Sequence, residues 1–216
     1  MNEDRDFSVR SLRNLVPYEA WAELTRQPKP YASDQTLLRQ GDGGTHVLAL
    51  TKGLVKVVRR DRDGRERLLA FRGPGEILGE MAIQCEGERL ADVRTMTKCE
   101  ASLILAEDFQ RFVREHQLAH PLAVLASTRL REQTEIHDGA VHERLALALI
   151  RLVEVSGVQS FSLTREELAQ HIGVGRRSVS EALKLLGPGR VEAAKSRVSV
   201  ISVESLRKVL DDSISG

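Results

Sequence analysis

Two stretches of this chain carry residue types at spacings that could do chemistry. The first, GEILGEMAIQCEGERLADVRT at 75–95, sets the pair Gly79–Glu80 ahead of Arg89, which is followed by Leu90 and Ala91. Anion binding calls for backbone N–H groups and a guanidinium, and a glycine-bearing loop with an arginine can supply both. A small phosphate is the ligand this loop raises. The second, LTREELAQHIGVGRRSVSEALKLL at 163–186, offers Arg176, Arg177, Ser178, Ser180, Glu181 and Lys184 as the expected exposed positions of one helical stretch. That set is rich in partners for base edges and phosphates.

The elements needed to position the second set can be read around it. Thr164 can cap a short helix with its hydroxyl, and Glu167 three residues on completes a capping box. Leu168 faces a core, Ala169 is small where two helices would cross, and Gly173 can take the positive φ of a tight turn. Ile172, Val174, Val179 and Ala182 then hold a second helix at a steep angle to the first, the geometry of a helix-turn-helix whose second helix enters the major groove. After Gly189, RVEAAKSRVSVISV alternates around a Lys195-Ser196-Arg197 turn, as a β-hairpin wing would, and sets Lys195 and Arg197 beside phosphates. The plainer alternative is a helical hairpin with a solvated charged face.

The first stretch belongs to a region of different character. From about 30 to 105 short alternating segments are punctuated by glycine, with Val47 and Ala49, then Val55 and Val57, alternating and Lys52-Gly53 and Asp63-Gly64 supplying turns. This spacing predicts a small antiparallel barrel or jelly roll. Ahead of it, SLRNLVPYEAWAELTRQ reads as a helix with Leu12, Leu15, Trp21 and Leu24 on one face. Beyond about 107 the pattern turns helical. Pro121 suits a first turn, Leu122, Leu125 and Leu130 are spaced for an apolar face, and the helix is expected to run to about 137, where Asp138-Gly139 breaks it. Another helix follows from about 140 to 155.

Composition sets the outer limits. With 216 residues, 41% hydrophobic and 29% charged, the chain can bury a core and divide into two modest domains. No apolar run is long enough to span a bilayer and MNEDRDFSVR lacks a signal core, so the cytoplasm is the expected location and no membrane partner is expected. A net charge of +1 leaves nucleic-acid contact to a local basic surface. Cys85 and Cys99 form no CxxC motif, so a structural zinc, an iron–sulfur centre or a haem is not expected; Cys85 reads as a plain loop cysteine. His116, His120, His137 and His142 show no metal-binding grouping. No nucleophile–base arrangement, P-loop or dinucleotide fingerprint appears, which argues against an enzyme.

In the order of its parts the chain resembles the CRP/FNR family of bacterial transcription regulators: a glycine-punctuated β-roll with QGD at 40–42 and GE at 79–80, a long helix, then a winged helix-turn-helix. The resemblance implies an α+β fold with an N-terminal cyclic-nucleotide-binding-like β-roll (a double-stranded β-helix or jelly roll) at 1–119, a long dimerisation helix at 120–138, and a C-terminal winged helix-turn-helix at 139–216. It implies a homodimer on double-stranded DNA with a palindromic operator, RNA polymerase as a further partner if the regulator is an activator, and a cyclic nucleotide or another small ligand in the β-roll. No cofactor follows from the residues alone. By position, Arg176, Arg177 and Glu181 fall where bases are read, Arg165 where a phosphate is touched, Glu80 where the ribose 2′-hydroxyl is accepted, Arg89 where the cyclic phosphate is neutralised, and Gln133 or Thr134 where an adenine amine is met.

Two departures matter. The last base-reading position is often arginine, whereas Glu181 would accept from a cytosine amine, which predicts a different half-site. Leu90, whose bulk takes space that a small residue would leave to the phosphate, stands where a serine or threonine would give that phosphate a hydrogen bond. Its loss is worth on the order of 1.5 to 3 kcal/mol, so cyclic AMP is expected to bind weakly or not at all, the β-roll sensing a different ligand or acting as a fixed brace. For Glu80 and Arg89 the alternative is a surface ion pair that braces the loop. For Thr134 it is an ordinary exposed helix position. The competing reading of the whole chain is a ligand-binding regulatory module acting through protein partners and not DNA.

Overall fold

The structure, a computed structural model, describes residues 11–214, with side chains through 211. The MNEDRDFSVR segment lies outside the described residues. By compactness, residues up to 59 with 72–131 form one unit, and residues 60–71 with 132 onward form the other.

In the first unit the expected opening helix is broken in two. A 3₁₀ turn at Leu12–Leu15 ends where Val16 turns extended at φ −129° and ψ 154°, and helix α1 (Tyr18–Leu24) starts after Pro17. The cause is Pro17, whose ring excludes the residue before it from helical backbone. Trp21 and Leu12 are nonetheless buried together.

Eight short strands follow, all in this unit but for the end of β4 and nearly all of β5, which are counted with the other: β1 (Lys29–Tyr31), β2 (Thr36–Leu38), β3 (His46–Lys52), β4 (Val55–Arg60), β5 (Glu66–Arg72), β6 (Ile77–Leu78), and, after the short helix α2 (Glu80–Gln84), β7 (Asp92–Thr95) and β8 (Cys99–Leu105). They form two sheets with orders β1-β8-β3-β6 and β2-β7-β4-β5. Gly53 and Gly64 take the positive φ that the turn reading required.

Strand β3 departs from simple alternation. Val47, Leu48, Ala49 and Leu50 are all buried. Val47 and Ala49 pack in a core with Trp21, Phe109, Phe112 and Leu122. Leu48 and Leu50 pack in a second core with Leu38, Leu78 and Val93. Successive side chains leave opposite faces of a strand, so β3 has no wet face over these four residues, and only its end at Lys52 is exposed.

Helices α3 (Ala106–Glu115) and α4 (Ala119–Glu135) complete this unit, α4 continuing into the other. Leu122 and Leu125 of α4 are part of the first core. The stripe expected to form one apolar face is therefore split: Leu125 is buried, whereas Leu130 is 66% exposed. At 100° per residue Leu130 shares its side with Ala123, Ser127 and Thr134, away from Leu125.

The second unit contains α5 (Val141–Ser156), β9 (Ser160–Phe161), α6 (Arg165–Ile172), α7 (Arg176–Leu186), β10 (Val191–Ala193), β11 (Val198–Val200) and α8 (Val203–Ile214). Gly139 takes φ +82° at the break before α5. The Glu143 carboxylate accepts from Ala140 N–H at 2.9 Å, satisfying a donor at the start of α5. Leu145, Leu149, Leu152, Leu163, Leu168 and Ile172 are almost wholly buried. The small sheet runs β10-β11-β9, so the wing has a third strand that the sequence reading left out.

Candidate nucleic-acid interface and ligand cassette

The turn that aims α7 is built from local chemistry. Thr164 Oγ1 accepts from Glu167 N–H at 3.2 Å, and Thr164 N–H donates to Glu167 Oε2 at 2.9 Å. This capping box satisfies donors at the start of α6. Gly173 ends the helix in the left-handed region at φ +66°, where a side chain would be strained. Arg144 of α5 donates to the Ile172 carbonyl at that end. Leu168, Ala169, Ile172, Val179 and Ala182 are buried between the helices, and Val174 is half-buried.

The opposite face of α7 is open and polar apart from Leu185, which is exposed near its end. Arg176, Arg177, Glu181 and Lys184 are exposed. Arg177 Nε lies 3.2 Å from Glu181 Oε1, one helical turn on. Ser178 and Ser180 are half-buried rather than exposed as expected, because they flank the buried Val179. Ser180 Oγ donates to the Arg176 carbonyl at 3.2 Å. In the wing, Ala194 N–H donates to the Arg197 carbonyl at 2.8 Å, closing the hairpin, and Lys195 and Arg197 are exposed at its tip. Arg165, at the first position of α6, is half-buried and its Nε has no partner among the described residues.

The cassette is the other site. Gly79 takes φ +87° and leads into α2, and a Cβ there would collide with Arg89 Nη1. Glycine is thus required twice, by the backbone and by the arginine lying against it. Arg89 is 5% exposed. Its Nη2 donates to the His46 carbonyl at 2.7 Å, while its Nη1 is buried without a partner among the described residues. Burial pulls its pKa down, against the opposing field of Asp42. The nearby Arg89 charge also lowers the His46 pKa, second to burial itself. The Arg89 backbone is pinned to the 40–44 loop, donating to the Asp42 carbonyl at 2.8 Å and accepting from Gly41 N–H at 2.9 Å.

Glu80 is 8% exposed, and its partner is not Arg89. Arg129 of α4 donates to it through Nη1 and to Glu76 Oε2 through Nη2. The surface ion pair offered as an alternative for Glu80 and Arg89 is therefore overturned: both groups are buried, where a charge needs a partner, and each finds a different one. Burial pushes the Glu76 carboxyl up, against the pull of Arg129 and Arg72.

Of the residues singled out by sequence, the structure gathers Gly79, Glu80 and Arg89. Leu90 is 59% exposed, so its bulk is not packed into the cassette, and Ala91 is half-buried. Gln133 and Thr134 are exposed and belong to the other unit. Sequence reasoning missed Arg129 and Glu76. A signal was available: Arg129 stands one turn before Gln133, on the same side of the helix, and Glu76 lies only three residues before Gly79 in the same glycine-bearing stretch.

Among the described residues, no group of His, Cys, Asp and Glu could hold a metal ion, and no helix is long and apolar enough to cross a membrane. Cys85 is exposed and Cys99 buried.

Comparison with known proteins follows the same division. Residues 28–116 match the cyclic nucleotide-binding domain family, and residues 143–209 match the Crp-like helix-turn-helix domain family. The chain is 34% identical over 196 residues to the "Cyclic AMP receptor protein" of Thermus thermophilus, covering 84% of this chain and 91% of that one. It is 29% identical over 182 residues to the "CRP-like cAMP-activated global transcriptional regulator" of Mycobacterium tuberculosis, covering 78% and 81%. In fold it is similar to the solved structure of the c-di-GMP responsive global regulator CLP of Xanthomonas campestris, with a TM-score of 0.67 and 24% identity, covering 86% of this chain and 98% of that one.

Proposed function

Because this chain belongs to the CRP/FNR family of DNA-binding transcription regulators and is not an enzyme, we propose that it works as a homodimer on a two-fold-symmetric operator. Arg176, Arg177 and Glu181 read base edges, with Ser178 and Ser180 beside them, and Arg165, Lys184, Lys195 and Arg197 contact phosphates. The carrying observation is the face of α7, where Arg176, Arg177, Glu181 and Lys184 all stand exposed on a helix aimed by a capped turn. The seam between copies is the side of α4 bearing Ala123, Ser127 and Leu130, which the fold of one chain leaves exposed. Such a dimer presents two reading helices, which suits half-sites about 34 Å apart. Action on DNA places it in the cytoplasm, with RNA polymerase as its partner if it activates. Selection of bound sites from random duplexes tests this: enriched sites should be palindromic, and absence of any enriched site would sink it.

For the β-roll we propose a cyclic nucleotide or a related small anion as ligand. The residues present fit one: Arg89 keeps a buried donor without a partner among the described residues, the absent side chain of Gly79 leaves the guanidinium room, and Glu80 can accept from a ligand hydroxyl. The cyclic AMP named for the relatives from Thermus thermophilus and Mycobacterium tuberculosis supports the same class. Leu90 lacks the hydroxyl that would add a further bond to the phosphate, so cyclic AMP should bind weakly. Calorimetric titration with cyclic AMP and cyclic GMP, on the wild type and on Leu90→Ser, tests this; tight wild-type binding would overturn the weak-binding part.

A further inference from the structure

We infer that Glu76 is a positioning residue for the ligand site: it holds part of the Arg129 guanidinium, keeps Glu80 available to a ligand hydroxyl, and so ties α4 to the occupancy of the cassette. This deepens the ligand reading above and rests on it.

The geometry carries the inference. An arginine facing one carboxylate can donate two parallel N–H groups to it. Here the fork is divided, Nη1 going to Glu80 Oε1 and Nη2 to Glu76 Oε2. The side chains are 15%, 10% and 7% exposed for Arg129, Glu80 and Glu76, so solvent screens little of this contest between two carboxylates for one cation. The Arg129 Nε is buried with no partner among the described residues, which means the guanidinium sits where two acceptors pull it and not where all its donors are met.

The two carboxylates are not held alike. Glu76 is fixed from below by β3: Leu50 N–H donates to the Glu76 carbonyl at 2.9 Å, and Gly75 N–H donates to the Leu50 carbonyl at 2.7 Å. Glu80 begins the five-residue helix α2 directly after the left-handed Gly79. Glu76 is thus the fixed competitor and Glu80 the one beside the ligand position. A hydroxyl donating to Glu80 relieves its demand for Arg129, the guanidinium moves toward Glu76, and α4 moves with it.

The test compares two nucleotides on the full chain. In Glu76→Gln, Arg129 is left to Glu80 alone, which then has less to offer a ligand hydroxyl. Cyclic AMP affinity should fall about tenfold, the scale of one hydrogen bond to a charged group. The affinity for 2′-deoxy cyclic AMP, which lacks that hydroxyl, should stay within about twofold of wild type. Glu76→Asp, which keeps the charge, should preserve the wild-type difference between the two nucleotides. Equal weakening of both, or no change in either, overturns the inference. Should the wild type bind neither nucleotide, the ligand reading fails by itself. The positioning role is then decided by amide exchange along residues 125–131, which should quicken in Glu76→Gln as Arg129 loses its fixed anchor; identical or slower exchange overturns it.

Discussion

Arg177 Nε and Glu181 Oε1 lie 3.2 Å apart across one turn of α7, on the face that the fold turns outward. Both side chains are well exposed, so the pair adds little to stability. Its importance is positional. The one acidic group on the reading face is held by a neighbouring arginine before any DNA arrives, and binding must exchange that contact for contacts to bases.

This exchange separates the roles of the α7 residues. Arg176→Ala or Arg177→Ala should relax sequence preference at one half-site position at a cost of about 1 to 3 kcal/mol. Lys184→Ala and Arg165→Ala should weaken all duplexes alike and flatten the salt dependence. Measured selectivity profiles of the four variants distinguish the two classes. Unchanged selectivity in both arginine variants would remove α7 as the reading helix.

The two leucines of α4 should behave differently. Leu125 is buried in the β-roll core, so Leu125→Glu should destabilise the fold by more than the roughly 2–5 kcal/mol that truncating a buried leucine costs. Leu130 is exposed, so Leu130→Glu should leave the monomer folded while lowering both dimerisation and operator affinity. Sedimentation and thermal melts of both proteins check this.

Removing the α6 cap has a defined cost. Thr164→Ala loses the hydroxyl that accepts from Glu167 N–H and should lower stability by about 1 kcal/mol. A chemical melt read from the helical signal gives the value directly.

The buried Glu76 carboxyl gives a pH signature. Burial raises its pKa, so above the ordinary glutamate value of about 4.3 the folded chain retains a proton the unfolded chain has released. Stability contributed by this group is present below that pH and is lost as pH rises through the folded value. Glu76→Gln stays neutral and does not lose it. Its stability relative to wild type should therefore grow between about pH 4.3 and pH 7. A gap that narrows over that range would contradict the assignment.

What could be read from sequence was what is decided locally. Thr164 and Glu167, Gly173, and the apolar positions of α6 and α7 all act within a few residues of one another, and the helix-turn-helix followed from them. The ion pairs of Arg129 join residues 49 and 53 positions apart, and no periodicity reports such a meeting. The split of the α4 stripe was hidden for a related reason: Leu125 and Leu130 are the same residue type, and only the packing of one against Phe109 and Phe112 tells them apart. Pro17 was visible in the sequence, and its effect on Val16 could have been anticipated.

Strand β3 bears on how far sequences built on this plan can diverge. In a half-exposed strand every second position can drift toward polar residues without harm. Here Val47, Leu48, Ala49 and Leu50 line two separate cores in turn, so a polar group at any of the four is stranded without solvent on either side. Variation across homologous chains should thus be held to small and medium aliphatic residues through this run, while the β4–β5 turn around Gly64, where an added side chain meets nothing within 4 Å, limits change by backbone conformation and not by space.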